Sequence, residues 1–169
     1  PFTFIQVVNF FYPVALLVFG RMGQRNIRKL GWFRAFALFN LLQAPTTVAY
    51  ACVNAGNVWV LLPALRMVQH FLGVSCNVAY QNMPFVNMPG EDQTNYISFY
   101  SLVSNLGSFL GMFLGTAFIS LYPRLRWEIA GLSFGNVQTL VLFWAASQVI
   151  VPLITLYWAR RHHLEPENA

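Results

Sequence analysis

Five stretches of this sequence, residues 1–19, 32–53, 57–82, 94–121 and 137–159, are long, apolar and nearly free of charge. A hydrocarbon core about 30 Å thick is crossed by about 20 helical residues. Each stretch therefore reads as a transmembrane span. None alternates strictly as a lipid-facing β-strand does, so the expected fold is an all-α transmembrane helical bundle. The chain opens at Pro1 already inside an apolar run, without an initiator Met or a signal peptide. It reads as a segment of a longer protein, with residues 160–169 as a cytoplasmic tail.

Composition supports a bilayer over water as the solvent. Charged residues make up 9% and hydrophobic ones 57%, with a mean hydropathy of +0.52. A soluble domain carries about 25% charged residues. In hydrocarbon the outward face needs no charge. The net charge of +5 does not point to nucleic acid, because the cations are clustered beside apolar runs. Arg21, Arg25, Arg28, Lys29 and Arg34 follow the first run, and Arg160 and Arg161 the last. That placement suits anionic headgroups and topology control. The partner expected on this ground is the lipid bilayer, with no cofactor. Cys52 and Cys76 lie inside apolar stretches without metal-ligand spacing and read as packing residues.

The breaks between runs have local causes. Gly20 and the basic cluster end the first run, and Asn54, Gly56 and Asn57 make a turn after the second. Pro84, Pro89 and Gly90 break the chain after the third. Glu91 and Asp92 then set negative charge at the start of the fourth helix. Residues 122–136 form the longest connection, where a short interfacial helix is expected. With the 20–34 connection and the tail on the cytoplasmic side, that side holds seven Lys or Arg and the other holds Arg124 and Arg126. The C-terminus then faces the cytoplasm in a multi-pass protein of the plasma (inner) membrane.

The segment Gly20-Arg-Met-Gly-Gln24-Arg25-Asn-Ile27-Arg28-Lys29 resembles the loop signature of the major facilitator superfamily. Gly20, Arg25, Arg28 and Lys29 match, while Gln24 stands where the family has Asp and Ile27 where it has a second Gly. Leu62, Arg66 and Gln69 are similar to a second family pattern, with His70 in place of Gly. Gly107, Gly111 and Gly115 resemble the Gly-rich helix that follows a Pro-containing loop, and their spacing allows close backbone approach. The resemblance implies about five spans of a twelve-helix transporter with two halves, so the remaining half would be a partner. The basic tail fits helices eight to twelve, whereas the Arg66 pattern is more typical of helix four and keeps helices two to six open. It also implies a conformational latch in the first loop, with Glu91 and Asp92 as partners for Arg25, Arg28 and Lys29.

Arg66 stands eight residues after Val58, about 12 Å along a helix of 1.5 Å per residue. A charge at that depth faces a cavity or a bundle interior. His70, Gly73, Asn77 and Gln81 follow at helical spacing with Gln69 beside them, giving a polar stripe on an apolar helix. In the family this helix lines the central cavity, which makes Arg66, Gln69, His70, Asn77 and Gln81 the candidate solute contacts. Arg66 would then take an anionic or zwitterionic solute, or pair with an acidic residue elsewhere or with backbone carbonyls. A fixed Arg that clamps helix ends is the plainer alternative. His70 is a candidate for proton coupling, since imidazole changes charge near neutral pH. Ser98, Ser101, Asn105 and Ser108, and Gln6 and Asn9, read as helix-to-helix hydrogen-bond partners.

No His-Glu-x-x-His signature occurs in the sequence, and no span holds a pair of carboxylates. His162 and His163 are too few for a metal centre. The expected function is part of a secondary active transporter, a permease working by alternating access. The alternatives are a non-transporting membrane subunit or scaffold and, more remotely, an intramembrane enzyme.

Overall fold

The computed structural model describes residues 2–86, 88–129 and 131–164. It contains helices α1 (Phe2–Leu30), α2 (Trp32–Ala51), α3 (Val58–Asn82), α4 (Gln93–Leu121) and α5 (Asn136–Arg161). A single 3₁₀ turn at Met83–Phe85 follows α3, and two short strands, β1 (Arg126–Ile129) and β2 (Leu132–Gly135), precede α5. Four of the helices, α1, α3, α4 and α5, are long and apolar enough to cross a membrane. The fifth, α2, has 20 residues but carries Arg34, Asn40, Gln43, Thr46 and Thr47 and falls short in apolarity.

The first connection departs from expectation. Residues 20–30 are helical rather than a loop, and α1 runs unbroken for 29 residues. An internal glycine costs a helix only about 1 kcal/mol, and Gly20 is followed by the good helix formers Arg21, Met22, Gln24 and Arg25. Arg28 and Lys29 occupy the last turn, where the helix dipole favours cations. At about 43 Å, α1 is longer than the hydrocarbon is thick. The reversal is made by Gly31 alone, at φ 83° and ψ 162°. Its N–H donates to Ile27 O (2.8 Å), and its carbonyl accepts from Ala35 N (3.0 Å).

The second turn is built from asparagines. Asn57 Nδ2 donates to Cys52 O (3.2 Å), while Asn54 N donates to Asn57 Oδ1 (2.7 Å). The third connection contains the 3₁₀ turn, where Pro84 is buried. The fourth is a β-hairpin in place of the expected interfacial helix, pairing Trp127 with Phe134 and Ile129 with Leu132. Gly131, at φ 79°, supplies the backbone reversal. The Trp127 and Phe134 rings stack at 4.7 Å, and Trp127 Nε1 donates to Thr139 Oγ1 (2.8 Å), fixing the hairpin to the start of α5.

In the bundle α3 lies between α1 and α2, and α2 lies between α3 and α5. Small residues line these seams: Ala35, Ala37, Ala44, Ala51, Ala79 and Ala145 are all buried. They let helices approach closely without a hydrophobic drive, as membrane bundles require. One core cluster, Ile27, Ala35, Phe39 and Ala79, joins α1, α2 and α3 near the Gly31 reversal. Helix α4 stands at the side with no buried residue, touching α5 through Phe118 against Phe143 at 6.3 Å. Large apolar side chains face outward throughout, Leu17 at 83% and Leu121 at 73% exposure among them. The ends of α1, α3 and α5 share one side of the bundle with the start of α4. The hairpin and the Asn54–Asn57 turn occupy the other.

Candidate functional site

Helix α3 carries the polar stripe and stands at the centre of three helices. Side chains on a helix lean toward its N-terminus. Arg66 accordingly reaches back toward the Asn57 end, where its Cζ lies 4.8 Å from the centroid of the Tyr50 ring. Its Nη2 is 3.5 Å from Tyr50 Oη and its Nη1 is 3.4 Å from Gln69 Oε1. Both contacts are long for hydrogen bonds, so the ring face is the stronger partner. A desolvated cation–π contact is worth about 2 kcal/mol. Tyr50 was not among the partners foreseen for Arg66. The only signal for it was an aromatic residue near the end of the preceding span.

The rest of the stripe connects α3 to α1. His70 is buried with Nε2 3.3 Å from Val8 O, and the Tyr12 ring meets its imidazole edge-on at 5.4 Å. Asn77 Nδ2 donates to Tyr12 Oη (3.1 Å), and Gln81 Nε2 donates to Asn77 Oδ1 (3.2 Å). Asn77 and Gln81 remain exposed, while His70 is 8% and Gln69 7% exposed. The stripe is thus two linked groups on α3, Arg66 with Gln69 in the α2–α3 seam, and His70, Asn77 and Gln81, joined through Tyr12 of α1, ending on the open face.

Behind it lies a group that sequence reasoning missed. Gln148 Nε2 on α5 donates to Gln43 Oε1 on α2 (3.4 Å), and both residues are buried. Gly73 of α3 faces this pair, and a Cβ there would stand 3.6 Å from Gln43 Nε2, in ordinary van der Waals contact. Gln43 Nε2, Gln148 Oε1 and Gln69 Nε2 have no hydrogen-bond partner. Each such buried group costs about 1–3 kcal/mol, which marks the centre of the bundle as polar.

A cleft of about 390 Å³ separates the last turns of α3 from the first half of α4. Its polar wall is made by Tyr80, Gln81, Tyr100, Ser101, Ser104 and Asn105. Gln81 therefore belongs both to the stripe and to this cleft. Ser101 and Asn105 border open space instead of bonding a neighbouring helix.

Other expected sites are not assembled. Gly20, Arg25, Arg28 and Lys29 lie on the end of α1, not in a loop, and the three cations are exposed. Among the described residues, Asp92 Oδ1 accepts locally from Asn95 Nδ2 (3.3 Å), and no contact joins Glu91 or Asp92 to those cations. Gly107, Gly111 and Gly115 have nothing within 4 Å of an added Cβ, so no helix packs on them here. No group of His, Cys, Asp or Glu among the described residues forms a metal centre. Compared with protein-family models, with curated proteins and with solved structures, the chain finds no match.

Proposed function

We propose that this chain is part of a secondary active transporter that moves a small solute across a membrane by alternating access. The observation that carries this reading is the row of polar side chains on α3 from Arg66 to Gln81, about 22 Å long, beside the buried Gln43–Gln148 pair. Polar groups in hydrocarbon are costly and mark solute paths or proton relays. The resemblance of the 20–29 and 62–70 segments to the major facilitator signatures supports the same reading. On it, α2 is the fifth crossing. Its polar residues are tolerated because α3 and α5 cover it, and the basic end of the bundle faces the cytoplasm.

Arg66 is held by Tyr50 and Gln69 in this conformation, so it meets an anionic or zwitterionic solute only in a state where Tyr50 has moved away. Solute flux into proteoliposomes containing the full-length protein tests the reading. Flux that Arg66→Gln reduces at least tenfold assigns Arg66 to the path; unchanged flux leaves it as a clamp between α2 and α3. Transport by His70→Gln that keeps its pH dependence removes His70 from proton coupling.

A second reading, a non-transporting membrane subunit or scaffold, is favoured by one observation. His70 and Asn77 both bond α1, as helix-packing residues do. Absence of flux with any solute driven by a proton or sodium gradient supports that reading.

A further inference from the structure

We propose that the cleft between α3 and α4 binds an uncharged, hydroxyl-rich solute, an unmodified sugar or polyol. The inference goes beyond the transporter reading in naming where a solute sits and of what class it is. A volume of about 390 Å³ falls in the range of small-ligand pockets. All six polar residues on its wall are neutral, and among the described residues no charged side chain lines it. An ion placed there would lose its hydration without gaining a counter-charge. The same lining suits hydroxyl groups well. The Ser101 hydroxyl and the Asn105 amide both donate and accept, while Tyr100, bonded to Tyr80 and Ser104, sets further hydroxyl oxygens on the same wall as acceptors beside the Gln81 amide. A sugar hydroxyl has the same dual character. Between these groups Phe85, Ile97 and Pro84 give apolar surface, and the two tyrosine rings add flat faces for the C–H side of a pyranose.

Position supports the assignment. Tyr100 and Asn105 stand about 10 and 18 Å into α4, so the cleft reaches from the Asn82–Gln93 end toward mid-bundle. Arg66 is about 22 Å away along α3 and takes no part. Helix α4 has no buried residue and meets the rest of the bundle lightly. It can tilt to admit and enclose a ligand at little cost in packing.

The test is equilibrium binding of radiolabelled glucose, maltose, sucrose and myo-inositol to the full-length protein in detergent, with labelled succinate and glucose 6-phosphate as anionic probes. The expected result is saturable binding of at least one uncharged probe that neither anion displaces. Asn105→Leu weakens that binding about tenfold, and the gentler Ser101→Ala and Tyr100→Phe weaken it by smaller factors. Ser101 and Asn105 are exposed, so loss of fold does not confound their variants, and a change at the exposed Arg124, Arg124→Gln, leaves binding unchanged. Saturable binding of none of the four uncharged probes overturns the proposal. So does binding that survives Asn105→Leu combined with Ser101→Ala. Binding without flux counts against the transporter reading alone.

Discussion

Gly31 is a single residue doing the work of a loop. Its backbone combination of φ 83° and ψ 162° is one that side-chain-bearing residues scarcely adopt. Gly31→Ala is expected to destabilise the bundle by about 1–3 kcal/mol, read as a lower midpoint in detergent-based thermal unfolding. An unchanged midpoint would show that the reversal can be made another way. The buried glutamines make a second prediction at this scale. Gln43→Leu or Gln148→Leu alone leaves the other amide with no partner, costing about 1–3 kcal/mol. The double Leu variant should cost less than either single change, and a double-mutant cycle on unfolding midpoints measures the difference. Additive losses would mean that the two amides do not interact. Residues on the α3 stripe were legible because 3.6-residue spacing alone groups them. The Gln43–Gln148 contact joins positions 105 apart on two helices, and periodicity within one helix contains no information about it.

Among elements, the helices were legible wherever composition changes abruptly. The stretches at 32–53, 57–82, 94–121 and 137–159 are occupied by α2, α3, α4 and α5. The end of α1 was not, because a run of basic residues was read as a loop when helix propensity and the dipole both favour its continuation. The hairpin was missed because each strand has only four residues, too few to show alternation against noise. Once α1 is extended, Gly23 gains a purpose. A Cβ there would lie 3.0 Å from Ser75 Oγ and 3.5 Å from Ser75 Cα, so the two helices meet backbone to backbone. Gly23→Val is expected to cost about 1–3 kcal/mol through overpacking, and Ser75→Gly should return part of it. Failure of that rescue in thermal unfolding would place the strain elsewhere.

For the whole molecule, the order α1–α3–α2–α5 places α2, the helix that falls short of the apolarity needed to cross, between two neighbours. That cover buries Gln43 and half-buries Asn40, while Arg34 stays exposed near the start of the helix. Whether α2 crosses is a question that hydropathy leaves open. If α2 crosses, the two ends of the bundle face opposite compartments, with residues 24 and 91 on one side and residues 55 and 133 on the other. If α2 lies within one leaflet, residues 24 and 55 share a side and residue 91 moves to the opposite one. Gln24, Ala55, Glu91 and Ser133 are all exposed, so each tolerates a cysteine once Cys52 and Cys76 are replaced by alanine. An impermeant maleimide applied to sealed right-side-out vesicles should label Ala55→Cys and Ser133→Cys, and leave Gln24→Cys and Glu91→Cys untouched until the membrane is opened. Labelling Gln24→Cys and Ala55→Cys together would remove α2 from the set of crossings. It would also put the start of α4, and with it the mouth of the α3–α4 cleft, on the side opposite the Arg25–Lys29 cluster.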